Sequence, residues 1–188
     1  MKNRRLIFGL VFIIHYLLFN INSSAQVFIT KTSKVTFFSE SAMENIDATS
    51  ENVQSIINAP QKTVAFIIPI RSFKFESDLM QEHFNEKYME SDKYPTATFS
   101  GKVNEDVDLT KNGCYRVTAT GKMKMHGVEK DMTYSGTATV TDGQISLDSE
   151  LPVAIKDFKI EIPKLLFQNI ADTVAVKMNV IYQPFKKQ

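Results

Sequence analysis

The chain has 188 residues, 43% of them hydrophobic and 23% charged, with a formal net charge of +1. That size fits one domain with a sizeable core, and the near-neutral balance excludes the electrostatic footprint of a nucleic-acid binder. Cys114 is the only cysteine, so an intramolecular disulfide is excluded as well.

The first 25 residues read as a secretory signal peptide. Lys2, Arg4 and Arg5 form a basic start, Leu6 to Phe19 are apolar apart from Gly9 and His15, and small Ser23 and Ala25 suit a cleavage site. A spanning helix requires roughly 20 apolar residues, more than this run supplies. No cysteine follows it, so a lipoprotein anchor is not indicated. Cleavage before Gln26 leaves 163 residues with 19 basic and 21 acidic side chains. Residues 26–188 are then expected to form a single exported domain.

Eight strands are expected in that domain. The first covers about 27–39, with a break near Thr32-Ser33. The second covers about 51–58 and the third about 62–70, joined by an Asn58-Ala59-Pro60-Gln61 turn. The third, Val64 to Ile70, is apolar on both faces, so something is expected to cover its outer side. Ser77-Asp78 opens a helix over about 77–90, with Met80, Phe84 and Tyr88 recurring every four residues. That helix is the expected cover. Strand four runs from Thr96 to Val103 with Ala97, Phe99, Gly101 and Val103 on one face.

Between Tyr115 and Ile155 the alternation is almost unbroken. Tyr115, Val117, Ala119, Gly121, Met123 and Met125 point one way, and Arg116, Thr118, Thr120, Lys122 and Lys124 the other. After His126-Gly127 the parity resumes with Val128, Met132, Tyr134, Gly136, Ala138 and Val140. After Asp142-Gly143 it resumes with Ile145, Leu147, Leu151, Val153 and Ile155. A period of two over this length means antiparallel strands with one dry and one wet face. Lys156 to Ala171 is less regular, with Leu165, Leu166, Phe167 and Ile170 among its apolar residues. The last strand covers about 172–183 and places Val174, Val176, Met178, Val180 and Tyr182 on one face. Successive hairpins of this kind form an up-and-down barrel or a sandwich, and eight strands give a barrel that is filled by side chains or holds one small ligand.

The dry face mixes Met and Tyr with Gly and Ala. Gly101, Ala119, Gly121, Gly136 and Ala138 supply little volume, while Met80, Met123, Met125, Met132 and Met178 offer adaptable walls. The residues alone leave two outcomes open: a hollow, or a barrel filled by facing Phe, Ile and Leu with glycines at its bends. Cys114 reads as a small half-buried strand residue. His126-Gly127 reads as turn geometry. No histidine cluster with metal spacing, no Gly-x-Ser-x-Gly elbow and no phosphate-cradling loop is visible, so no enzyme, cofactor or metal is expected.

The stretch His83-Phe84 through Tyr94-Pro95-Thr96-Ala97-Thr98-Phe99, followed by Gly121-Lys122-Met123-Lys124-Met125-His126-Gly127-Val128, resembles the YceI-like family over roughly residues 30–184. Two positions depart from the family pattern: Ser72-Phe73-Lys74-Phe75 precedes the helix, and Met123 stands where Leu is usual. The bulky phenylalanines are placed to narrow the barrel mouth. The resemblance implies an all-β, eight-stranded antiparallel lipocalin-like barrel with a short covering helix, exported to the periplasm of a diderm bacterium. It also implies a long-chain apolar lipid, a polyisoprenoid or fatty-acid derivative, as partner. The cavity wall would then comprise Phe66, Ile68, Met80, Phe84, Phe99, Tyr115, Val117, Ala119, Gly121, Met123, Met132, Tyr134, Gly136, Ala138, Leu147, Val176 and Met178. Arg71, His83, Tyr88 and Tyr94 are the candidates for the rim, where a head group would lie. Transient membrane contact and a homodimer are compatible with this reading. An enzyme acting on a lipid in the same cavity, or a packed barrel serving protein interaction, are the alternatives.

Overall fold

A computed structural model describes residues 26–39, 46–162 and 171–186. The expected leader, 1–25, and the apolar residues Leu165, Leu166, Phe167 and Ile170 lie outside these. Among the described residues no helix is long and apolar enough to cross a membrane.

The strands are β1 (Val27–Ser39), β2 (Ile46–Ser50), β3 (Gln54–Asn58), β4 (Thr63–Pro69), β5 (Thr96–Val103), β6 (Gly113–Met125), β7 (Val128–Thr141), β8 (Gln144–Ala154) and β9 (Thr173–Pro184). Each pairs antiparallel with its neighbour, and β9 returns to β1, from Phe28 opposite Pro184 to Phe38 opposite Ala175. The sheet thereby closes on itself, which shortens its free edges.

The second stave differs from expectation. It begins earlier than residue 51 and is broken into β2 and β3, both on β1. β2 pairs with Val35 to Ser39 and β3 with Val27 to Ile29. The break is held by Ser33, whose hydroxyl donates to the Glu51 carbonyl and accepts from the Val53 amide, each at 3.0 Å. A single polar side chain thus satisfies the backbone that the interrupted ladder leaves open. Counted as staves the barrel has eight. The register of β1 against β9 shifts between Thr30 and Thr32, beside the expected break.

The chain between β4 and β5 crosses one end of the barrel. It begins with a tight turn, Ile70–Ser72, and continues into helix α1 (Asp78–His83). The Ser77 hydroxyl accepts the Met80 amide at 3.4 Å and caps α1. The helix then widens by one residue per turn over Phe84–Tyr88, with the Met89 amide donating to the Phe84 carbonyl at 2.9 Å. It does not cover the outer side of β4. Ile67 there is 45% exposed, and Ile56, on neighbouring β3, is 44% exposed. The segment caps the barrel end because Phe84 stacks on Phe37 and meets Phe73 and Phe75, with ring centroids 4.9–5.7 Å apart.

The opposite end is packed solid. Phe28, Ile145, Val180 and Tyr182 have no exposed surface, and the Tyr182 hydroxyl lies 2.7 Å from that of Ser55. The wet faces carry ion pairs such as Lys122 with Glu129 and Asp131. Cys114 is exposed, not half-buried, because it lies on this outer face of β6.

Candidate functional site

Between the packed end and the lid lies an apolar cavity of about 210 Å³. Of the expected wall, Phe66, Ile68, Met80, Phe84, Phe99, Val117, Ala119, Met123, Tyr134, Gly136, Ala138, Leu147, Val176 and Met178 line it. They are inward positions of β4 to β9 together with the lid's inner side, as strand parity requires.

Tyr115, Gly121 and Met132 do not line it. The Tyr115 hydroxyl donates to the Lys111 carbonyl at 3.1 Å, which draws the ring toward the loop at the packed end. Gly121 pairs with Gly101 on one side and Met132 on the other. A Cβ at Gly121 would lie 2.2 Å from the Ser100 carbonyl oxygen and 2.3 Å from the Gly101 Cα. One at Gly101 would lie 2.7 Å from the Phe99 ring. These glycines mark a place where two staves close on each other and leave no room inside. The hollow depends instead on Ala119, Gly136 and Ala138.

The rim is rearranged too. Tyr88 is buried and lines the cavity. Arg71 is exposed and ion-paired with Asp92. His83 is half-buried and off the wall. Tyr94 packs edge-on against the His126 ring, with centroids 4.6 Å apart. His126 is more than turn geometry. Its backbone takes a left-handed φ of 49° in the β6–β7 hairpin, and its ring joins two other segments of the mouth. Nδ1 lies 3.0 Å from the Phe158 carbonyl, and Nε2 lies 3.2 Å from the Glu90 carboxylate. Carbonyl and carboxylate oxygens both accept, so the ring serves both only when it carries both protons.

Parity did not reveal the mouth. Ile70, Phe73, Phe75, Met89, Ile160 and Ile162 line it from turns, where no period operates. Val35, Phe37 and Ile57, from the strands nearest the amino end, also line the wall. Their alternation was legible, but only the fold shows which end of each strand reaches the hollow.

Among the described residues no charged side chain lines the cavity, and no cluster of His, Cys, Asp and Glu could hold a metal. The polar atoms at the wall are hydroxyls. Burial raises the Tyr88 phenol above its ordinary range and pushes Tyr134 up to about 12, so both remain protonated donors. Neither has a hydrogen-bond partner among the described residues.

Three solved structures share this architecture. A polyisoprenoid binding domain from Saccharophagus degradans, described as implicated in plant cell wall breakdown, superposes with a TM-score of 0.72 at 16% identity, over 84% of this chain and 98% of that one. BcnA of Burkholderia cenocepacia gives 0.67 at 19% identity, over 79% and 95%. The YceI protein of Campylobacter jejuni gives 0.62 at 16%, over 79% and 90%. No curated protein sequence matches the chain. The YceI-like domain model matches residues 23–182, and with the closed barrel and capped apolar hollow this establishes that the chain belongs to the YceI-like family.

Proposed function

We propose that this protein is an exported carrier that sequesters or shuttles a long-chain apolar lipid, a polyisoprenoid or fatty-acid derivative, in the barrel cavity. The observation that carries this reading is the capped apolar hollow itself. A cavity of about 150 Å³ lined by Leu, Ile and Phe stays dry and binds an apolar guest. The one here is larger, at about 210 Å³, and is lined almost wholly by aliphatic and aromatic groups. The likeness to a domain described as polyisoprenoid-binding supports the ligand class.

Burying each methylene is worth about 0.8 kcal/mol against water, and a bilayer gives the same return. Transfer between membrane and barrel is therefore near balance. That suits a carrier, which must release as readily as it loads. In this reading the leader is removed before Gln26, the mature protein works in the periplasm of a diderm bacterium, and membrane contact is transient. The role is binding and not catalysis.

Purification from the native compartment, extraction into organic solvent and mass spectrometry test the proposal. One reproducible apolar lipid, near one per chain, is expected. A barrel that comes out empty and excludes long-chain probes overturns it.

A further inference from the structure

Among the described residues four buried side-chain polar atoms have no hydrogen-bond partner: Asn85 Oδ1, Tyr88 OH, Ser91 Oγ and Tyr134 OH. A native protein pairs the great majority of such groups, so their placement asks for a reason. Three of the four follow one another at intervals of three residues along the last turns of the lid. The lid is also irregular there. Its hydrogen bonds widen to five-residue spacing over Phe84–Tyr88, a distortion found frequently at functional sites. Tyr88, the middle member, lines the cavity.

The charge of the site narrows what could satisfy it. Of the cations beside the mouth, Arg71 is committed to Asp92 and His126 to Glu90, Lys74 and Lys159 are exposed, and no Lys, Arg or His among the described residues lines the hollow. A carboxylate or phosphate brought under the lid would lose its hydration and gain no counter-charge. A neutral oxygen acceptor loses far less, and it meets a phenol that donates. Asn85 and Ser91 do not line the hollow, so Tyr88 is the lid's one unpaired group among the described residues that faces it.

We infer that the carrier selects lipids by head group at the end of its lid, where Tyr88 donates a hydrogen bond to an uncharged, carbonyl-type oxygen, and that it discriminates against free acids and phosphates of the same chain. This rests on the carrier reading and deepens it by naming the head-group chemistry.

The test is displacement of a neutral apolar dye from delipidated protein by four compounds of equal carbon number: an alkane, a methyl ketone, a carboxylate and a phosphate monoester. The ketone is expected to bind about tenfold more tightly than the carboxylate or phosphate. Tyr88→Phe is expected to weaken the ketone about fivefold and leave the alkane unchanged. Tyr115→Phe, which removes a phenol that lies off the cavity wall, is expected to retain the preference. A carboxylate or phosphate that matches the ketone overturns the head-group inference alone, as does a Tyr88→Phe variant that binds ketone and alkane as the parent does. If none of the four displaces the dye, the carrier reading falls and this inference with it.

Discussion

Tyr134 illustrates what a cavity does to one side chain. Its ring packs edge-on against Phe99, with centroids 5.2 Å apart, and its hydroxyl is buried without a partner. An unpaired buried hydroxyl costs about 1–3 kcal/mol, so Tyr134→Phe is expected to raise stability at neutral pH by about 1 kcal/mol in a urea titration. The alkaline limb gives a second readout. Folding raises this phenol from 10.0 to about 12, so the folded chain keeps a proton that the unfolded chain gives up. The resulting stability is fully present below about pH 10 and is lost as pH rises toward 12. Partial solvent access reduces the term to about 1–2 kcal/mol. Tyr134→Phe should flatten the decline of stability across that window, and an unchanged slope would contradict the assignment. At this scale the sequence was readable where strand parity operates. Alternation alone put Phe99, Ala119 and Met178 on the inward face, where they line the cavity. Tyr115 and Met132 have the same parity yet miss the cavity, because parity gives the face of a strand and not the height along the barrel axis.

Elements show the same division. The eight staves, the hairpin turns at Asn58–Gln61, His126-Gly127 and Asp142-Gly143, and the Ser77 cap were legible, since period two and capping chemistry are local. The split of the second stave into β2 and β3 was not, because it depends on Ser33 reaching across from β1 to Glu51 and Val53. Nor was the lid's true target, which is set by Phe37 of β1 meeting Phe73, Phe75 and Phe84 from the crossing segment. Phe84→Ala removes the ring on which Phe37, Phe73 and Phe75 converge. It is expected to cost about 3 kcal/mol in denaturant unfolding and to speed ligand release. The glycines permit a sharper comparison. A Cβ at Gly121 would meet backbone atoms of β5 within 2.3 Å, and backbone cannot move aside as a side-chain tip can. Gly143 has φ of 76° and nothing within 4 Å, so only its conformation is at stake. Gly143→Ala is expected to cost about 1 kcal/mol, the ordinary left-handed penalty. Gly121→Ala should cost about 3 kcal/mol or more, or prevent folding. Thermal unfolding of the two variants side by side decides it, and equal losses would remove the close approach of β5 and β6 as the cause.

At the scale of the molecule the design is a barrel closed at one end by packing and at the other by a lid. Closure follows from the length of β1, which carries β2 and β3 along one side and β9 along the other. The packed end fixes the register with Phe28, Ile145, Val180 and Tyr182 fully buried. That leaves the other half free to be underfilled, since stability is supplied where no ligand goes. The sequence could not decide between hollow and filled, because the volume inside a barrel is a difference between facing side chains that are far apart in the chain. Filling it from the wall separates the two roles. Ala119 lines the hollow at mid-strand, opposite Tyr134 on the neighbouring stave. Ala119→Leu adds three carbons on the side that lines the hollow, so the empty protein is expected to gain about 1 kcal/mol or hold its stability. The same carbons occupy ligand volume, so dye uptake and the yield of extractable lipid should fall at least tenfold. A protein that loads lipid on its outer face, through the exposed Ile56 and Ile67, would keep its uptake in this variant. Retained binding with unchanged stability would therefore place the ligand outside the barrel, and lost binding with retained stability would place it within.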